Sequence, residues 1–169
     1  MKSKNNKIEK QEDVIIEKAS DKDFAAIMEL LKLANMHYIG SAEMPSITFE
    51  NYFTAKIADK VVGFCGYKIL SPTQAKTELM AVHPDYRRFG IGYKLQVRRM
   101  EDMLAKGIQK LTTNTDLPET IKWYQRHFGY IKIGTLKKVN EFGDQNIDHW
   151  TTLQVDLIEW NKRRNAKND

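Results

Sequence analysis

Val82-His83-Pro84-Asp85-Tyr86-Arg87-Arg88-Phe89-Gly90-Ile91-Gly92 joins a strand-like run, Lys76 to Val82, to a helix-like run, Tyr93 to Lys106. Gly90 and Gly92 stand one residue apart, just after Arg87 and Arg88, where strand hands over to helix. Glycine lets a backbone approach a ligand closely. The first amides of a helix have no acceptor within it and point at an anion. The junction therefore reads as a place to hold a phosphate. A Rossmann fingerprint needs a third glycine about three residues on, but position 95 is leucine. A P-loop needs Gly-Lys followed by Ser or Thr, and this stretch has none.

Outward from the junction, the chain alternates strand and helix signals. Val14-Ile15-Ile16 reads as a first strand. Ser20 with Asp23 three residues on has the form of a helix N-cap and its acidic partner. Phe24, Ile27, Met28, Leu31 and Ala34 then give an amphipathic helix stripe. Asn35 to Ser46, with Gly40 and Pro45, is irregular. Tyr52 to Ile57, Val61 to Leu70 and Lys76 to Val82 read as strands joined by short turns, which implies an antiparallel sheet. Past the glycines, Tyr93, Val97, Met100 and Leu104 mark one helix face, and Gly107 is placed to stop it. Ile108 to Thr113 is a strand and Pro118 to His127 a helix, with Tyr130 to Leu136 and His149 to Leu157 as the closing strands. The pattern predicts a single α/β (α+β) domain.

A chain of 169 residues is long enough for one domain with a real core. Hydrophobic residues at 41% and charged residues at 29% fit a globular protein. No apolar run approaches the roughly 20 residues that span a bilayer, and Met1 to Asp13 has no signal-peptide stretch, so no membrane partner is expected. Cys65 is the only cysteine, which excludes an internal disulfide and suits a cytoplasmic setting. Val62, Phe64 and Tyr67 around it favour a core role over a nucleophilic one. His37, His83, His127 and His149 show no metal-ligand spacing, so no metal is expected. The net charge of +5 suits nucleic acid or a polyanionic cofactor. Part of it sits at the ends, on Lys2, Lys4, Lys7 and Lys10 and on Lys162, Arg163, Arg164 and Lys167. These ends lack apolar periodicity and read as solvated tails, residues 1–12 and 159–169, around a domain of residues 13–158. Nucleic acid is then not the expected partner.

With strand, turn and helix placed, the chain resembles the GNAT superfamily of acyl-CoA-dependent N-acyltransferases. The family signature, Arg or Gln, two residues, Gly, one residue, Gly or Ala, is met by Arg87-Arg88-Phe89-Gly90-Ile91-Gly92. Its Val-x-Pro-x-Tyr-Arg lead-in is Val82-His83-Pro84-Asp85-Tyr86-Arg87. The likeness runs from about residue 14 to about residue 157, through Trp123-Tyr124 and Gly129-Tyr130. It implies a mixed, mostly antiparallel sheet of about seven strands flanked by helices. It also implies acetyl-CoA as donor, an amine as acceptor, and direct attack in a ternary complex; a small-molecule amine is expected in preference to a protein. Dimers are common in folds of this kind, so a homodimer is a compatible assembly.

The resemblance also implies roles for residues. The turn Arg87, Arg88, Phe89, Gly90, Ile91, Gly92 and Tyr93 would cradle the CoA pyrophosphate. Met80, Ala81 and Val82 would run beside the pantetheine arm, with an amide near Val82 as oxyanion donor. Glu78 is the expected base; strand alternation would put it on one face with Met80 and Val82. Tyr124 is the expected acid. It precedes Gly129 by five residues, where the family has four. A bulge or wider turn can absorb the extra residue; a regular helix would instead turn the tyrosine by roughly 100°. Asn114 and Asp116 are the nearest polar candidates for the family's asparagine after the fifth strand, and simple counting falls on Leu117. The acceptor is expected between Asn35–Ser46 and Asn140–Asp148, near His37, Tyr38, Ser41, Glu43, Glu141 and Asp144. A non-catalytic acyl-CoA-binding module is the alternative reading, favoured by the altered spacing after Tyr124.

Overall fold

The computed structural model describes residues 13–34, 47–139 and 143–168. Their strands form one seven-stranded sheet in the order β1-β2-β3-β4-β5-β7-β6. The strands are β1 Ile15–Lys18, β2 Tyr52–Ile57, β3 Lys60–Ser71, β4 Gln74–Val82, β5 Lys110–Thr115, β6 Ile131–Lys137 and β7 His149–Asp156. The helices are α1 Phe24–Leu33, α2 Ile91–Ala105, α3 Pro118–Phe128 and α4 Leu157–Ala166. All neighbouring strands run antiparallel except β4 and β5, which α2 connects as a crossover. This is the mixed, mostly antiparallel seven-stranded sheet that the resemblance implies.

Each face of the sheet carries its own apolar cluster. On one, α1 sets Ile27, Leu30 and Leu31 against Tyr52, Phe64, Leu79 and Ala81. On the other, Leu95, Met100 and Met103 of α2, Tyr124 and Phe128 of α3, and Leu157 and Trp160 of α4 meet Phe53, Ala55, Cys65, Tyr67 and Ala75. Helices on both sides leave β2 and β3 buried on both faces, so these strands read as apolar runs. Ser20 and Asp23 form the expected capping box, at a short 3-10 turn just before α1.

Two expectations change. The last strand stops at Asp156 and α4 follows, so residues 159–166 are helical where the sequence suggested a solvated tail. Asp156 caps that helix by accepting from the Glu159 amide at 3.0 Å. Its anchors are Leu157 and Trp160. The inward face of α2 is also wider than Tyr93, Val97, Met100 and Leu104. Gln96 and Arg99 are fully buried, while Tyr93 is 46% exposed.

Candidate functional site

The strand–helix junction is built as the glycines suggest. Pro84–Phe89 makes a 3-10 turn in which His83 Nδ1 accepts from the Asp85 amide at 3.1 Å. His83 thereby caps this turn. Gly90 follows in the left-handed region, at φ 68° and ψ 21°, and is the N-cap of α2. Such a φ strains any residue with a Cβ. The Lys94 amide donates to the Gly90 carbonyl at 3.1 Å. The amides of Ile91, Gly92 and Tyr93 thus lie in the first turn, where the helix supplies no acceptor. Ile91 buries its side chain and contributes only backbone here. Arg87 and Phe89 are exposed, and Arg88 lies in the same turn. The Tyr93 ring stacks on Phe128 at 5.2 Å, joining the start of α2 to the end of α3.

Beside the junction the sheet forks. The β4–β5 ladder holds only Gln74 to Lys76 against Lys110 to Thr112, while β4 continues to Val82. The hydroxyls of Thr77 and Thr113 bond to each other at the crotch. Beyond it, β5 pairs with β7 alone and β4 with β3 alone. Along a strand, successive amides point to opposite edges. The His83 amide donates to Val62 on the β3 side at 2.7 Å. The Val82 amide therefore projects from the opposite edge, into the fork.

Glu78 does not share a face with Met80 and Val82. Cys65 pairs with Met80, yet Tyr67 pairs with Thr77, so β4 carries one extra residue in a bulge across this step. Glu78 accepts from the hydroxyl of Tyr52, which belongs to the α1-side cluster with Leu79 and Ala81. Met80 and Val82 instead pack against the cluster under α2 and α3. The bulge breaks the alternation that the sequence reading assumed.

The α3 helix is regular to its end. Gly129 caps it in the left-handed region, at φ 72°, and its amide donates to the Gln125 carbonyl at 3.1 Å. No bulge interrupts the helix before this cap. Tyr124 thus stands one helical step, roughly 100°, from the position four before Gly129, which is the exposed Gln125. Tyr124 is buried, and its hydroxyl accepts from Arg99 Nη2 at 3.0 Å. Sequence reading missed this partner because a charged residue on an amphipathic helix normally faces water.

Asn114 is tied into the sheet, its Oδ1 accepting from the Thr152 hydroxyl at 2.7 Å. Asp116, just beyond, bonds Lys138 Nζ at 2.9 Å and the Asp144 amide at 2.7 Å. It therefore anchors the start of the β6–β7 connection. Asp144 is the one acceptor-side candidate within the described residues; His37, Tyr38, Ser41, Glu43 and Glu141 lie outside them. Cys65 is fully buried, and burial pushes its thiol up to about 11 although Arg99 pulls the other way. Among the described residues, no group of His, Cys, Asp and Glu is arranged to hold a metal. No helix among them is long and apolar enough to cross a membrane.

A left-handed glycine at a strand–helix junction thus stands beside a forked sheet. A family model described as "Acetyltransferase (GNAT) domain" matches residues 48–132, half of the chain. The chain belongs to the GNAT acetyltransferase family.

Solved structures share its fold. Ard1 from Thermoplasma volcanium is 22% identical, with a TM-score of 0.70 over 85% of this chain and 97% of that one. The ribosomal-protein-S18-alanine N-acetyltransferase of Escherichia coli is 14% identical, with a TM-score of 0.68 over 86% and 94%. The yncA protein of Salmonella typhimurium, a putative acetyltransferase solved with acetyl-CoA, is 17% identical, with a TM-score of 0.66 over 86% and 94%. No curated protein matches the chain in sequence.

Proposed function

We propose that the chain transfers an acetyl group from acetyl-CoA to the primary amine of a small molecule, by direct attack in a ternary complex. The fork between β4 and β5, opening beside the Gly90–Tyr93 turn, carries this reading. The pyrophosphate would lie on the amides of Ile91, Gly92 and Tyr93, with the helix dipole adding about 0.3–1 kcal/mol. The pantetheine arm would run along the unpaired edge of Met80, Ala81 and Val82. The thioester carbonyl would then meet the Val82 amide. One such oxyanion donor is typically worth about 2.7–4 kcal/mol of barrier.

The bulge divides the roles between the two sides of the sheet. Glu78 lies on the α1 side and would take the amine proton, directly or through a water. Met80 and Val82 face the other way, against the cluster under α2 and α3, the side proposed for the donor. The amine nitrogen bonds to the thioester carbon, the carbon–sulfur bond breaks, and sulfur keeps the electron pair. Tyr124 would supply the proton that the thiolate needs. Cys65, buried with a raised pKa, is unsuited to a covalent acyl-enzyme.

A second reading, a non-catalytic acyl-CoA-binding module, draws on the position of Tyr124 one helical step from the usual place. A panel of lysine, glucosamine, spermidine and a short peptide with a free N-terminus separates the two. Acetyl-CoA thioester loss and the mass of the N-acetyl product are measured together. Acetylation of a small amine is the expected result. Acetylation of the peptide alone would replace the small-molecule acceptor. CoA binding without turnover across the panel would favour the binding module.

A further inference from the structure

Arg99 is a positive charge inside the core that the reading above leaves unused. It is 0% exposed, on the inward face of α2. Its Nε donates to Gln96 Oε1 at 2.6 Å, its Nη1 to the Gly66 carbonyl at 3.0 Å, and its Nη2 to the Tyr124 hydroxyl at 3.0 Å. Among the described residues it makes no ion pair, so no carboxylate neutralises it. Gln96 in turn donates to the Tyr130 hydroxyl at 3.0 Å, and the Tyr130 and Tyr124 rings lie 5.0 Å apart. Gly66 sits on β3 opposite the bulge in β4, between the pairs Cys65–Met80 and Tyr67–Thr77. The network thus links the Tyr124 hydroxyl to the β3 backbone opposite the β4 bulge.

A guanidinium has only donors and stays protonated. With Arg99 donating to it, the Tyr124 oxygen must turn its own proton elsewhere. Among the described residues nothing accepts that proton. That proton can therefore be given to a group that enters the site, and the leaving sulfur of CoA is such an acceptor.

We propose that Arg99 is a positioning residue for Tyr124. It fixes the phenol with its proton turned away from the guanidinium and stabilises the phenolate left when that proton passes to the CoA thiolate. The phenolate regains a proton from solvent as the amine proton leaves Glu78, which closes the balance. This rests on the acetyltransferase reading with Tyr124 as the acid. A merely structural arginine, holding α2 to β3 and α3, is the competing account.

A double-mutant cycle on kcat separates them. Arg99→Met and Tyr124→Phe are made singly and together, and kcat is measured with acetyl-CoA and the amine of the panel that turns over fastest. Acetyl-CoA affinity and thermal stability are measured beside it. Tyr124→Phe should lower kcat by roughly 10²-fold, the lower range for lost general acid catalysis. Arg99→Met should lower it comparably alone, and hardly further in the Tyr124→Phe background, because coupled groups are not additive. Arg99→Lys keeps the charge and should retain part of kcat. If Arg99→Met does not fold, the same cycle is run with Arg99→Lys. Equal losses from the arginine change in both backgrounds would overturn the proposal and leave the acetyltransferase reading standing. An unchanged kcat in Tyr124→Phe would overturn Tyr124 as acid and this inference with it. Absence of turnover across the whole panel would remove the reading on which both depend.

Discussion

The Tyr52 hydroxyl donates to the Glu78 carboxylate, joining the first residue of β2 to the bulged step of β4. The same tyrosine ring lies against Gly66, where a Cβ would come within 2.5 Å of it. Tyr52 thus stands between Glu78 on the α1 side and the Gly66 carbonyl that receives Arg99. Tyr52→Phe keeps the ring and removes the donor. A hydrogen bond to a charged group is worth about 1.5–3 kcal/mol, so a stability loss within that range is expected. Turnover should fall while acetyl-CoA affinity holds, because Glu78 lies on the α1 side, away from the side proposed for the donor. Steady-state kinetics beside calorimetric acetyl-CoA titration checks both. A loss of affinity equal to the loss of turnover would count against this division of sides.

Gly66→Ala should damage the fold itself. The added carbon meets a ring that is 1% exposed and has little room to move. Overpacking of this kind costs about 1–3 kcal/mol. Chemical denaturation should report a lower midpoint with an unchanged slope.

Gly90 and Gly92 should separate strain from ligand approach. At Gly90 a Cβ meets nothing within 4 Å, but the residue sits at φ 68°. Gly90→Ala should therefore lose about 1 kcal/mol or somewhat more from backbone conformation alone. At Gly92 the Cβ would lie 3.9 Å from Val82 Cγ2, an ordinary contact, in a helical backbone. Gly92→Ala should gain up to about 1 kcal/mol of stability, yet bind acetyl-CoA more weakly because the backbone is no longer bare. Thermal melts paired with binding titrations would expose the opposite signs. Gly92→Ala with full affinity would mean the ligand does not approach that amide.

Trp160 measures how far α4 is part of the domain. It is 5% exposed in the cluster under α2 and α3, with the Arg164 guanidinium 4.4 Å from its ring centre. Trp160→Ala should cost about 3–5 kcal/mol. A loss under about 1 kcal/mol, outside that range, would mean that the helix docks loosely and the tail reading was closer to the truth.

Cys65 should be inert. With its thiol held up to about 11 by burial, it stays protonated across the neutral range. A thiol reagent at pH 8 should label it only when the protein is unfolded, and Cys65→Ala should retain turnover. Rapid labelling of the folded protein, or loss of turnover in that variant, would reopen a covalent route.

Most strands, the glycine turn and the helix after it were legible because their signals are local: apolar runs, paired turns, and glycines at a boundary. Three features were not. No glycine or proline interrupts residues 74–82, so the bulge that turns Glu78 away from Met80 and Val82 leaves no mark in the sequence. Gln96 and Arg99 read as an outward face, since their burial depends on the hydroxyls and carbonyl that long-range folding brings to them. α4 is mostly polar, and Trp160 alone is a weak signal for a docked helix.

The central claim is that acetyl-CoA lies along the open edge of β4 with its pyrophosphate on the first turn of α2. Backbone amide resonances, followed during titration of the full chain with acetyl-CoA, test it directly. The account predicts saturable shifts at Gly90, Ile91, Gly92 and Tyr93, and slowed hydrogen exchange at the Val82 amide. Saturable binding that leaves those amides unmoved would contradict it.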